Sequence, residues 1–187
     1  AFTDGFRHNL ALIGPPGSGK SFQLHQLMKD PPSNLTVLYC PLYRESCRTL
    51  LHRLMGTILR AAHPPSVPAT ELPGIEPHEP LERLWQRAES ACPKTAAALR
   101  SVEGLLTRRL YSEAFNRTLD AIPLLIKERG RLVALILDEF LCLEEVGLGH
   151  AFHELGKRVM TVPAMLFVLS SSSPYRAREI LRERLQL

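Results

Sequence analysis

Residues 14–21 read Gly-Pro-Pro-Gly-Ser-Gly-Lys-Ser, which satisfies the pattern G-x-x-x-x-G-K-[ST] at every fixed position. A stretch of this kind does phosphate chemistry. Glycines let the backbone curl tightly with its N–H groups pointing inward, where phosphate oxygens accept from them. Lys20 brings a point charge for β- and γ-phosphates, and Ser21 brings a hydroxyl for Mg²⁺. More than a hundred positions later, the run Leu132-Val-Ala-Leu-Ile-Leu137 ends in Asp138-Glu139. An acid at the carboxyl end of a buried strand sits on the rim where open α/β sheets bind ligands. Asp138 there suits a Mg²⁺ ligand, direct or through water. Glu139 suits a general base or positioner for a water attacking the γ-phosphate.

These groups need a scaffold that brings them to one edge, and the hydrophobic pattern supplies one. Leu10–Ile13 reads as a short buried strand running into the glycine loop. A helix from about Lys20 to Lys29 would point its positive dipole end at the anion and must stop before Pro31-Pro32. Leu35–Cys40 is a second strand, closed by Pro41, and Glu45–Ala62 carries a helical apolar ladder. His63–Pro80 holds six prolines in eighteen residues, so it is read as an insertion loop without regular helix or central strand. Residues 81–131 are helical, in three stripes: one around Leu84 and Trp85, one over 96–110 and one over 112–128. Pro123 is expected to kink or restart the third, and Gly130 to end it. Leu132–Leu137 is the third strand in chain order, 148–161 a further helix, and Met165–Leu169 the fourth strand, followed by Ser170–Ser173. Pro174 opens a last helix with Ser173 as its N-cap. Strands alternating with helices imply a parallel sheet covered on both faces, and near-continuous apolar strands agree.

Composition sets limits. The chain has 187 residues, 45% hydrophobic and 22% charged, enough for one well-buried domain, here read as 1–187 with residues 63–111 as a proline-rich and helical insertion. No apolar stretch reaches the length of a membrane span and no secretory leader is visible, so no membrane contact is expected. Cys40, Cys47, Cys92 and Cys142 make no C-x-x-C pair, which speaks for buried reduced thiols and a cytoplasmic setting. A net charge of +4 is compatible with nucleic-acid contact without indicating it.

Gly14–Ser21 and Leu132–Glu139 resemble the Walker A and Walker B motifs of P-loop NTPases. The Asp-Glu pair is similar to that of the additional-strand class with a catalytic glutamate, and the wording of the loop is similar to AAA+ proteins and the related archaeal-type and STAND ATPases. The resemblance covers about residues 9–60 and 112–182. It implies a three-layer α/β fold with a parallel sheet in the order 1-4-3-2 or 5-1-4-3-2 flanked by helices, the insertion falling between strands 2 and 3. It implies ATP and Mg²⁺ as ligands, with Gly14, Pro15, Pro16, Gly17, Ser18, Gly19, Lys20, Ser21 and Phe22 at the nucleotide, Ser21 and Asp138 at Mg²⁺, and Lys20 and Glu139 as catalytic residues. In that class the strand between the Walker strands ends in a polar sensor, the role of Ser170 or Ser171. Arg176 and Arg178 stand where arginine fingers for a neighbouring subunit could lie, which would make the chain a homo-oligomer or a protein-binding module. The small helical lid of AAA+ proteins would follow the core, and the chain stops at Leu187, so a fragment lacking that lid is expected.

Three functions fit these residues. The first is an ATPase module whose hydrolysis drives a conformational change. The second is a small nucleotide kinase, since the loop also resembles that of adenylate kinase, although the Asp-Glu pair is not required there and no arginine-rich lid is recognisable. The third is a non-catalytic ATP switch binding protein or DNA. Two weaker patterns remain. His150 and His153 with Glu154 have metal-like spacing on a helix but no third ligand. Arg100, Arg108, Arg109 and Arg117, interleaved with Glu103 and Glu113, read as a solvated face before a nucleic-acid stripe.

Overall fold

The computed structural model describes residues 9–63 and 80–185. Its elements are β1 (Leu10–Ile13), α1 (Lys20–Lys29), β2 (Leu35–Pro41), α2 (Cys47–Ala62), α3 (Leu81–Ala91), α4 (Pro93–Thr107), α5 (Tyr111–Arg129), β3 (Leu132–Asp138), α6 (Ala151–Thr161), β4 (Met165–Ser171) and α7 (Pro174–Ile180). The strands form one parallel sheet in the order β1-β4-β3-β2. That is the first of the two expected orders; a fifth strand beyond β1 is not among the described residues. The proline-rich stretch falls mostly outside them, at 64–79.

The sheet is covered unequally. On one face Leu38, Cys40, Val133, Leu135, Leu137, Met165, Phe167 and Leu169 join one continuous apolar cluster with helices α2 to α7. Trp85, Ala88, Leu99 and Val102 belong to it, so α3 and α4 share a core with the sheet. On the other face Ala134, Ile136, Leu166 and Val168 meet a smaller cluster built on Leu24 of α1, with Leu27 and Met28 beside it. Burial on both sides explains why β3 and β4 are apolar at nearly every position.

Several boundaries differ from the sequence expectation. The second helix begins at Cys47, because the Ser46 hydroxyl accepts the Thr49 N–H at 3.1 Å and caps it. α6 begins at Ala151, not at 148: the stretch after Asp138 first makes a 3-10 turn, Phe140–Glu144, that buries Phe140 and Leu143, and Gly147 then takes a left-handed φ of 74° ahead of the N-cap at His150. β4 runs on through Ser170 and Ser171, since Ser170 and Ser171 pair with Leu12 and Ile13 of β1. Ser173 holds the N-cap position of α7 without a side-chain cap; its own N–H donates to Ser171 Oγ at 3.1 Å. Pro123 does not restart α5, which is a single helix of 19 residues. Proline removes one helical hydrogen bond. Phe115, Leu119, Ile122 and Leu125 bury themselves on both sides of it in the main cluster, which offsets that loss.

α4 owes its start to a distant side chain. Cys92, its N-cap, offers no side-chain bond, and the Glu128 carboxylate of α5 takes the N–H groups of Lys94 and Thr95 at 2.8 and 3.0 Å and the Thr95 hydroxyl at 2.6 Å. Burial opposes ionisation of Glu128, but the Thr95 hydroxyl and the two amides together hold its carboxyl below the usual range. A lowered native pKa stabilises the fold above the unfolded value, about 4.3, and that contribution is lost as the pH falls through the native value. Glu128→Gln should therefore cost about 1 kcal/mol at pH 7. In urea unfolding, its deficit against the wild type should shrink as the pH falls below the unfolded carboxyl value.

Candidate functional site

The loop between β1 and α1 is shaped by its glycines. Gly17 and Gly19 have φ of 78° and 85°, the left-handed region that side chains avoid. A Cβ on Gly14 would lie 2.8 Å from Ser18 Oγ, so the Ser18 hydroxyl would have to turn aside. The loop is tied to the sheet by Gly14 N–H donating to Ser171 O at 3.3 Å and closes on itself through Ser18 N–H to Pro15 O at 3.2 Å. The Lys20 ammonium folds over this turn, donating to Gly14 O at 2.9 Å and Pro15 O at 3.1 Å. Phe22, in the first turn of α1, is 67% exposed.

Asp138 ends β3 on the α1 face, because residues 134, 136 and 138 alternate to that side of the strand. It is only 6% exposed, and three hydroxyls from three other elements satisfy it. Ser21 of α1 donates to Oδ2 at 3.0 Å, Tyr39 of β2 donates to the same oxygen at 2.8 Å, and Ser170 of β4 makes a short bond to Oδ1. Burial, and next the Asp138 carboxylate beside it, pushes the Tyr39 phenol well above its ordinary range, so it stays a donor. The four residues are contributed from positions 21, 39, 138 and 170, and the parallel sheet brings them to its carboxyl edge.

Glu139 departs from the strand with φ 58° and ψ 50°. Such a conformation costs a non-glycine residue roughly 1–2 kcal/mol and is held only where the surroundings determine it. Here the Glu139 N–H donates to Ser170 Oγ at 3.2 Å, and Glu139 Oε2 accepts from the N–H and the hydroxyl of Ser172, both at 2.9 Å. The carboxylate thus lies one residue beyond the rung that joins Ser171 to Gly14.

The structure brings Gly14–Ser21, Asp138, Glu139, Ser170 and Ser171 together at one edge of the sheet. Ser170 and Ser171 are fully buried, and the Ser170 hydroxyl is engaged by Asp138 and the Glu139 amide. Arg176 is bound within the chain, to Glu144 at 2.5 and 3.1 Å and to Glu179 at 2.7 Å, while Arg178 is exposed. Two site residues were not singled out from the sequence, Tyr39 and Ser172. The available signal for Tyr39 was a hydroxyl near the end of an otherwise apolar strand; for Ser172 it was membership of the serine run.

The weaker patterns find structural roles. His150 and His153 line a separate cleft of about 550 Å³ with Glu144, Glu183 and Arg184, and Glu154 pairs with Lys157 and Arg158. Among the described residues no group of three His, Cys, Asp or Glu side chains could hold a metal ion. Arg100 binds Glu89 and covers the Trp85 ring at 4.9 Å, while Arg108, Arg109 and Arg117 are exposed. All four cysteines are free, and burial pushes Cys40 up to about 12 and Cys47 up to about 11, which keeps both protonated. No described helix is long and apolar enough to cross a membrane. No family model matches the chain, and neither a curated protein nor a solved structure matches it.

Proposed function

We propose that the chain is an ATP-binding, Mg²⁺-dependent ATP-hydrolysing module of the P-loop type, AAA+ or STAND-like, in which turnover drives a conformational change. One observation carries this reading: the hydroxyl of Ser21, the last residue of the loop motif, donates to Asp138, 117 residues away, at 3.0 Å. A phosphate cradle and a strand-end acid that share a hydrogen bond form one site. The cradle fits phosphate, because Gly17 and Gly19 take left-handed backbone conformations that side chains avoid, and turn the loop tightly. Ser21 Oγ and Asp138 Oδ2 fit Mg²⁺, which favours hard oxygen donors and few protein ligands. When bound there, Mg²⁺ supplies charge neutralisation on the phosphoryl group being transferred.

The chain's own residues supply the rest. Gly17 and Gly19 shape the loop so that its amides can bind phosphate oxygens. Lys20 is already held over the loop by the Gly14 and Pro15 carbonyls, where an entering phosphate meets its charge. Glu139 has both Ser172 bonds on Oε2, so Oε1 is the oxygen that takes a proton from the attacking water. Phe22, exposed beside the loop, offers its ring to the nucleoside.

Product analysis tests the proposal. With Mg-ATP alone the protein should release ADP and inorganic phosphate, and AMP should not be needed. Formation of ADP only when AMP is present would replace this reading with nucleotide kinase chemistry. Tight ATP binding with no product in either mixture would replace it with a switch.

A further inference from the structure

Asp138 is an acid in a nearly closed setting, 6% exposed, and a buried polar group needs hydrogen bonds to offset the loss of water. Its terminal torsion is broad and roughly two-fold, so packing alone does not choose its rotation. Donors on both oxygens do. Ser170 occupies Oδ1, and Ser21 and Tyr39 share Oδ2. Tyr39 differs from the two serines in its origin. It lies on β2, in register with Ile136, while Pro41 pairs with Asp138 itself, so the Tyr39 ring must reach one rung along the same face to meet the carboxylate. That reach is held from the other side by His25, whose ring meets the Tyr39 ring edge-on at 5.5 Å and 70°. His25 follows Ser21 by one helical turn, so the two share a face of α1. Tyr39 thereby ties β2, β3 and α1 together at the point where Ser21 and Asp138 meet.

We infer that Tyr39 is a positioning residue for the metal end of this site: its hydroxyl fixes the rotation of the Asp138 carboxylate so that Ser21 and Asp138 present a preset pair of oxygens to a divalent cation. The inference rests on the proposed ATP site and adds a residue to it. A carboxylate that ligates a metal depends on the hydrogen bonds made to it from outside, and removal of such a partner commonly weakens metal affinity by ten- to a hundred-fold. The Tyr39 side chain bonds to Asp138 and packs on His25, while Lys20 is bound to the Gly14 and Pro15 carbonyls, so metal-free nucleotide affinity should not depend on the Tyr39 hydroxyl.

The experiment uses a fluorescent ATP analogue and Mn²⁺ as a spectroscopic substitute for Mg²⁺. Tyr39→Phe keeps the ring and its His25 contact; Tyr39→Leu removes both ring and hydroxyl. In EDTA, Tyr39→Phe should bind the analogue within about twofold of the wild type. The Mg²⁺ concentration that half-saturates the metal-dependent part should rise about tenfold in both variants. The electron paramagnetic resonance spectrum of Mn²⁺ bound with nucleotide should change its line shape in Tyr39→Phe. Unchanged Mg²⁺ dependence in Tyr39→Phe, with EDTA binding intact, overturns the inference. A parallel loss of metal-free and metal-dependent binding in Tyr39→Phe also overturns it, because the role is then structural. A wild type that shows no binding, or no Mg²⁺ dependence, removes the ATP site itself and the inference with it.

Discussion

Lys20→Ala should weaken ATP binding by roughly 100-fold, because a hydrogen bond from a charged donor to an anion contributes about 1.5–3 kcal/mol and tenfold corresponds to about 1.4 kcal/mol. The upper end applies here for a structural reason. The Lys20 ammonium is the group that bridges the Gly14 and Pro15 carbonyls, so in the proposed site its removal takes away both the charge offered to phosphate and a brace of the loop. The fold should survive. Lys20 lies at the start of α1, outside both apolar clusters. Isothermal titration with ATP, beside a thermal melt, checks both halves of the expectation. Tight binding by a well-folded Lys20→Ala protein would remove the phosphate-loop assignment, since both the catalytic and the switch readings need it.

Glu139→Gln should reduce ATP turnover by about 10²–10⁴-fold while leaving nucleotide bound, the range expected for loss of a general base or water-positioning carboxylate. The substitution is close in shape. Gln keeps an oxygen that can accept the Ser172 N–H, so the contact that moors this side chain at 2.9 Å can persist. The proton-accepting charge is what disappears. Single-turnover assays with radiolabelled ATP, followed by separation of bound nucleotide, should recover ATP from the variant and ADP from the wild type. Equal turnover in the two proteins would dismiss Glu139 from catalysis. The left-handed backbone at Glu139 makes a further distinction possible, because it places the side chain by strain that the Ser170 and Ser172 bonds sustain.

The elements were legible to different degrees, for reasons that lie in the residues. β1, α1 and β2 came through nearly to the residue, because Gly14, Pro31-Pro32 and Pro41 punctuate them locally. The start of α6 did not. Leu148 continues the helical spacing of Phe152 and Leu155, yet Phe140 and Leu143 are drawn into the core in a separate turn and Gly147 takes a left-handed φ of 74°, so the helix starts only at Ala151. α5 passes through Pro123 for a similar reason, since the cost of a missing hydrogen bond is local and the burial that offsets it is not. The cap of α4 lies on Glu128, more than thirty positions from the amides it serves, where no short-range pattern points.

The loop at 14–21 and the acids at 138 and 139 are set by residue type and spacing alone. Glycine geometry, a lysine and a hydroxyl act over a few bonds, and an apolar run ending in acids marks a strand that ends at the rim of the sheet. Which groups surround those acids was settled by the sheet. Parallel pairing in the order β1-β4-β3-β2 puts Ser170 beside Asp138, carries Tyr39 to the same carboxylate, and brings Ser172 under Glu139. A hydrogen bond between positions 39 and 138 leaves no periodicity to read, because its geometry is fixed by strand register and by the face each side chain takes, and both exist only once the chain has folded.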